Sequence, residues 1–334
     1  MVTSRTKTTL SAARIEALAR HAFGPVRVRR CEELTEGYFN TAYRLEVDPL
    51  GPLVLKVAPP AEVPVLTYEH DLMRGEIEAM RLVAAEPAVP APVVRFADFS
   101  RELLPVPYFF MDLVGGRPWS AVRDELGPEG NDAIERQLGA ITAAVNRTEG
   151  PAFGYLATGP AFPDWFDALR WMLTTLYADA RRFGVLLPVP EARVLRLLHR
   201  HRGAFEEVTT PRLVHWDLWA GNVFVSTDTE PPRVSGVIDF ERALWGDPLM
   251  EFIPGRLRAV DAYEAGYGQP LLATPERRLR RLFYNLYLGL VLVVEDGPRD
   301  YAAKDTVEWG RGLLERATTM LEHGDLIDGL LEYA

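Results

Sequence analysis

The sequence predicts an α+β protein of two lobes, a small antiparallel β-sheet lobe with one main helix and a larger, mainly helical lobe. Three observations predict it. Five short runs rich in β-branched or aromatic residues crowd the first third of the 334 residues, most with Pro or Gly close by. A single helical period interrupts those runs. After GGRP (115–118) long helical patterns take over, broken by one β-rich island at 212–240. The lobes are expected at 1–113 and 114–334, with a ligand cleft between them.

In order, an N-terminal helix precedes the strand-like runs VRVRRC (26–31), TAYRLEV (41–47) and LVLKVA (53–58). From about Val65 to Ala85, Leu72, Ala79, Met80 and Val83 recur near a 3.6-residue period, which makes a helix. VVRFAD (93–98) and YFFMDL (108–113) complete the sheet. In the second lobe helices are expected at about 131–147, 164–183, 190–206, 248–266, 274–295 and 304–322. No internal repeat or low-complexity tract is present.

Composition narrows the function. Hydrophobic residues make up 48% and charged residues 25%, as in ordinary globular proteins. The apolar run LYLGLVLVV (286–294) is half of the roughly 18–20 residues needed to span a bilayer, so it reads as a buried helix. The first residues lack the apolar core of a secretory signal. Cys31 is the one cysteine, which excludes internal disulfides and cysteine metal cages and fits a cytoplasmic protein. The net charge of −10 argues against a nucleic-acid partner and is compatible with a cationic or neutral one.

The chemistry concentrates in HWDLWAGN (215–222) and RVSGVIDFE (233–241). Asp217 and Asn222 have the spacing Asp-x-x-x-x-Asn, which in a protein-kinase catalytic loop supplies a base for the substrate hydroxyl and a Mg²⁺ ligand. NVFVS and RVSGVIDF, separated by TDTEPP, should pair as a hairpin and bring Asn222 beside Asp239. Oxygen donors on adjacent strand ends suit Mg²⁺. Lys56 is out of phase with Leu53, Leu55 and Val57 and so faces away from the side they bury. Glu76, on the helix between the strands, is placed to be its ion-pair partner. LTEGYFNTAYRLEV (34–47) puts Gly37 and Asn40 in a turn between strands.

With these motifs the chain resembles the aminoglycoside phosphotransferase and choline kinase-like family, small-molecule kinases with the protein-kinase fold. The resemblance runs from about Leu34 to Glu251 and is carried chiefly by HWDLWAGN and VIDFERALWGDP. It implies that Asp217 is the catalytic base and that Asn222 and Asp239 hold Mg²⁺. It implies that Gly37 and Asn40 lie in the phosphate loop and that Lys56, oriented by Glu76, meets the α- and β-phosphates. Met111 would back the adenine pocket, with Asp112 and Val114 as the hinge whose backbone binds the base. Asp247 would be the family's structural aspartate.

Two departures stand out. Trp216 occupies a position where the family commonly has Gly, and Phe39 one where its loop commonly has a small polar residue. No Ala-Pro-Glu element follows Asp239, which argues against a protein substrate. His215 is expected to shape the loop through backbone hydrogen bonds. Trp216, Glu241 and Asp164 are candidate acceptor contacts, and Glu251, Asp261, Glu264, Glu295 and Asp296 are further acids available to an amine.

The expectation is an ATP- or GTP-dependent, Mg²⁺-dependent O-phosphotransferase acting on a hydroxyl of a small, amine-bearing molecule. An aminoglycoside-like or other hydroxylated antibiotic leads. A metabolic kinase of the choline, homoserine, fructosamine or methylthioribose type is the alternative. A catalytically silent pseudokinase ranks last, because Lys56, Asp217, Asn222 and Asp239 are all present. Acceptor identity, nucleotide preference and oligomeric state are not encoded in these motifs.

Overall fold

The structure is a computed structural model, and it describes residues 7–35, 39–251, 260–300 and 304–324. Backbone packing groups the chain into two compact units, Met1–Val65 with Ala91–Val114, and Leu66–Pro90 with Gly115–Ala334.

The first unit is built on helix α1 (Ala12–Phe23) and strands β1 (Arg27–Leu34), β2 (Thr41–Asp48), β3 (Gly51–Val57), β4 (Val94–Asp98) and β5 (Tyr108–Asp112). These strands form one antiparallel sheet in the order β1-β2-β3-β5-β4. Ser11 caps α1 by accepting the Arg14 N–H, and the helix buries Ile15, Leu18 and Ala19. They meet Tyr43, Leu45, Val47, Leu53, Leu55, Val57, Tyr108 and Phe110, the alternate residues of one sheet face. Each large aliphatic side chain withdrawn from water there contributes about 1.5–3 kcal/mol. Strand β1 lies at the edge with mostly exposed Arg and Glu, which discourages pairing with another chain.

The second unit begins with α2 (Leu72–Val83), which packs on the 3₁₀ turn Phe240–Arg242. Strand β6 (Arg117–Pro118) leads into α3 (Trp119–Val145), which starts earlier than its period suggests. Gly127 (φ +63°) leaves helical geometry ahead of Pro128, so α3 is two helical stretches joined at a kink, and the Asn131 amide caps that kink. It donates to the carbonyls of Arg123 at 2.9 Å and Gly127 at 2.6 Å, and its oxygen accepts the Trp119 indole N–H.

Strand β7 (Gly154–Tyr155), helices α4 (Trp165–Phe183) and α5 (Glu191–Arg200), and strand β8 (Arg212–Val214) follow. Strands β9 (Val223–Ser226) and β10 (Arg233–Val237) form the expected antiparallel hairpin, extended by β6. Strand β11 (Leu244–Gly246) pairs with β7 and β8. The single helix expected over 248–266 is replaced by a 3₁₀ turn, Pro248–Glu251, and a helix α6 (Val260–Tyr267); 252–259 lie outside the described residues. Helix α7 (Pro275–Val294), capped by Thr274, is buried almost throughout from Arg280 onward. Short α8 (Asp296–Arg299) and α9 (Asp305–His323) complete the unit. Among the described residues no helix is long and apolar enough to cross a membrane.

Candidate active site

The β9–β10 hairpin sets the positions of two candidate metal ligands. Val223 pairs with Val237, and the Ile238 N–H donates to the Asn222 carbonyl at 3.0 Å. Asn222 therefore sits at the entry of one strand and Asp239 just past the exit of the other. Asp239 has left-handed backbone (φ +70°), which turns the chain into the Phe240–Arg242 turn. Turn, hairpin and the α2 helix packed on the turn together bring three carboxylates into one group. Oxygens of Glu76, Asp239 and Glu241 lie within 4.8 Å of one another.

Asn222 also ties this hairpin to the candidate base. Its Nδ2 donates to the Asp217 carbonyl at 2.8 Å and to Asp217 Oδ2 at 3.0 Å. A carbonyl oxygen can only accept, so the amide orientation follows and Oδ1 is left as an oxygen donor for a cation. That amide oxygen with the grouped carboxylates is the hard, all-oxygen set that Mg²⁺ prefers, so the residues fit the ion.

The segment carrying Asp217 is held from several sides. The His215 Nε2–H donates to the Ile238 carbonyl at 3.0 Å, and Nδ1 accepts the Asp217 N–H at 3.2 Å. Both ring nitrogens are thus bonded to backbone. The Glu251 carboxylate accepts the N–H of His215 at 2.6 Å and of Trp216 at 2.9 Å. Trp216 has left-handed backbone (φ +60°), a conformation costing a bulky residue on the order of 1–3 kcal/mol. Glycine adopts it freely, which accounts for the glycine common at this position in the resembling family. Its indole is only 3% exposed, 5.1 Å from the Tyr287 ring and 5.7 Å from the Arg242 guanidinium.

Burial pushes the Asp217 carboxyl up to about 7, with Asp239 and Glu295 adding to the rise while Arg242 and the Asn222 hydrogen bond oppose it. Arg242 is the charge that most opposes the rise. It pairs with Glu295 at 2.7 Å, and Glu295 in turn pairs with Arg299 at 2.7 Å. Arg299 also meets Glu69, whose other oxygen accepts the Leu66 N–H at 2.7 Å. Burial works against charge on Glu295, but Arg242 and Arg299 outweigh it and hold its carboxyl below the ordinary glutamate value. Asp247 accepts from Arg280 Nε at 2.7 Å and from the Tyr284 hydroxyl, both on α7, and from the Leu249 N–H at 3.1 Å.

In the first unit Lys56 is buried on β3, facing away from the core formed by Leu53, Leu55 and Val57. Met111 is buried on β5; the Asp112 N–H donates to the Val93 carbonyl at 3.0 Å, and the Asp112 carboxylate pairs with Arg95. Val114 is half-buried just past β5. Asn40 is buried, its carbonyl accepting from Lys7 Nζ at 3.4 Å. Gly37 lies outside the described residues. Asp164 caps α4 by accepting the Asp167 N–H at 2.9 Å.

A sequence model of the phosphotransferase enzyme family (APH) matches residues 30–282. The chain belongs to that family. No curated protein matches it in sequence. Among solved structures, the aminoglycoside phosphotransferase APH(4)-Ia is 20% identical, covering 92% of this chain and 99% of that one, with a TM-score of 0.61. A proposed fructosamine-3-kinase from Thermobifida fusca is 22% identical over 90% of this chain and 98% of its own, with a TM-score of 0.64. A proposed aminoglycoside phosphotransferase from Ralstonia eutropha JMP134 is 17% identical over 94% and 99%, with a TM-score of 0.63. At these identities the likeness establishes a shared, protein-kinase-like fold.

In this phosphotransferase several of the acids expected to face an amine are engaged within the chain. Asp164 caps a helix, Glu264 accepts the Leu271 N–H at 2.9 Å, Asp296 pairs with Lys304, and Glu251 and Glu295 serve the contacts above. The grip of Glu251 on the loop and the Arg242–Glu295–Arg299–Glu69 chain were not foreseen. Glu251 stood out only as one C-terminal acid among many. Its one sequence signal is its place shortly after Gly-Asp-Pro (246–248); its burial comes with the 3₁₀ turn.

Proposed function

We propose that this phosphotransferase is an ATP- or GTP-dependent, Mg²⁺-dependent enzyme that moves the γ-phosphoryl group to a hydroxyl of a small molecule. The observation that carries the proposal is Asn222, whose side chain is bonded to Asp217 Oδ2 at 3.0 Å and whose backbone carbonyl accepts the N–H of Ile238, the residue before Asp239, at 3.0 Å. A base for the acceptor and a cation ligand are thereby coupled in one hydrogen-bonded unit.

In this reading Asp217 accepts the acceptor's hydroxyl proton as the oxygen attacks the γ-phosphorus, and the bond from that phosphorus to the β-phosphate oxygen breaks to release the nucleoside diphosphate. A carboxyl raised to about 7 takes a proton more readily than an ordinary aspartate would. Asn222 and Asp239 hold Mg²⁺, with Glu76 and Glu241 close to Asp239. When bound, the ion neutralises phosphate charge and orients the transferred group. Lys56, supported by Glu76, is assigned to the α- and β-phosphates, Gly37 and Asn40 to the phosphate loop, and Met111, Asp112 and Val114 to the base. Residues 1–113 are assigned to nucleotide binding and 114–334 to catalysis and the acceptor.

The acceptor class we propose is a hydroxylated antibiotic. Support comes from the family, from the −10 charge, and from a fold shared with a mutant of APH(4)-Ia bound to AMP-PNP and hygromycin B. The test is a transfer screen of the purified protein with ATP and GTP against antibiotics and metabolic alcohols. Turnover confined to choline or homoserine would replace the antibiotic reading with a metabolic one.

A further inference from the structure

Two tryptophans flank Asp217, and they are disposed in opposite ways. Trp216 is enclosed by Tyr287 and Arg242 at 3% exposure, so its ring has no face to offer a ligand. Trp219, two residues after Asp217, is 48% exposed. Isolated exposed apolar side chains are common and need no function. The support beneath this one sets it apart.

The Trp219 carbonyl accepts the Asn222 N–H at 2.9 Å, so the turn that carries the indole is the turn that positions Asn222. A Cβ added at Gly221 would lie 2.2–2.7 Å from Cη2, Cζ2 and Cζ3 of the Trp219 ring. The rim of the benzene ring therefore rests on the Gly221 backbone, in space that any side chain there would claim. One side of the indole is backed by polypeptide while much of the rest faces solvent. Through Asn222 the same turn is bonded to the Asp217 carboxylate.

Resting on the phosphotransferase reading above, we propose that Trp219 is the acceptor platform of this enzyme and that it selects ring-bearing alcohols. The apolar C–H face of a sugar or cyclitol ring stacks on the open face of the indole and presents a ring hydroxyl to Asp217. Such a face matches an aromatic plane in area and buries apolar surface on both partners. A short acyclic alcohol has too little surface to gain from the platform. Trp219 thus takes the acceptor-contact role for which the sequence offered Trp216.

The test uses the full chain with MgATP and MgGTP and five acceptors. Kanamycin, hygromycin B and fructosyl-lysine carry rings; choline and homoserine do not. Transfer is expected to a ring-bearing acceptor. Trp219→Ala should raise KM for that acceptor about fivefold to tenfold, the scale of a lost aromatic stack. Trp219→Phe should restore most of the loss, and KM for the nucleotide should move less than about twofold, within the reach of indirect effects. A general folding defect would shift both constants and would not be rescued by phenylalanine. An unchanged acceptor KM in Trp219→Ala, or transfer to the acyclic alcohols alone, overturns the platform and leaves the phosphotransferase reading standing. Absence of transfer to all five overturns that reading and the platform with it.

Discussion

The Glu251 carboxylate accepts the backbone N–H of His215 at 2.6 Å, and its second oxygen accepts that of Trp216 at 2.9 Å. One buried side chain thereby holds the two peptide groups that lead into Asp217, one of them in left-handed conformation. An acid that could have been an acceptor contact is instead a fastening of the loop.

Removing that fastening should cost both stability and turnover. Glu251→Ala strands two buried N–H groups, each worth about 1–3 kcal/mol when left without a partner. Glu251→Gln retains one acceptor and should lie between alanine and wild type. Thermal melting and kcat on the same samples check this. Wild-type values for both in Glu251→Ala would show the loop to be held by other contacts.

Asp217→Asn should fold, bind nucleotide and lose roughly 10²–10⁴-fold in kcat, the usual contribution of a general base. Its stability should depend on pH in a defined direction. The folded-state carboxyl, at about 7, lies above the ordinary aspartate value, so ionising it opposes folding. Wild type loses this contribution as pH rises from the ordinary value through about 7. Asn carries no such charge. The variant should therefore be the more stable protein at pH 8 and match wild type at pH 4, as paired melting curves would show. An equal stability difference at both pH values contradicts the raised carboxyl.

Arg242→Met removes the cation that restrains this rise. The Asp217 carboxyl should then titrate at higher pH than in wild type, readable by carboxyl-carbon NMR on the nucleotide-free protein with Asp217→Asn as the assignment control. The variant also takes one of its two arginine partners from Glu295, and breaking a buried pair costs about 3–5 kcal/mol. Glu295→Gln provides the second arm. It removes a negative charge near Asp217, so the titration should move down. Shifts of the same sign in both variants would point to distortion of the loop and not to electrostatics.

Asp239→Ala should remove the Mg²⁺-dependent part of nucleotide affinity while sparing affinity measured in excess chelator. Calorimetry in the two conditions separates them. Unchanged Mg²⁺ linkage would move the cation to other ligands.

Much of this protein was legible in its sequence because local rules govern it. The hairpin that joins Asn222 to Asp239 is set by two alternating runs and a short connection, so the register of Val223 on Val237 follows from nearby residues alone. Lys56 shows its face by period two, and the apolar run 286–294 shows the burial of the C-terminal half of α7. Local rules hold at the kink in α3 as well: Gly127 leaves helical geometry there, and the nearby Asn131 amide caps the carbonyls of Arg123 and Gly127.

Partnership and exposure were decided only by the folded chain. Glu251 reaches His215 across 36 positions, Arg242 reaches Glu295 across 53, and Arg299 reaches Glu69 across 230. A carboxylate has the same sequence signature whether it meets solvent, an arginine or a backbone amide. Its role is set by which groups are desolvated beside it. The two tryptophans beside Asp217 differ for the same reason. Tyr287 and Arg242, distant in sequence, enclose Trp216, while Gly221 backs Trp219 and leaves it in the open.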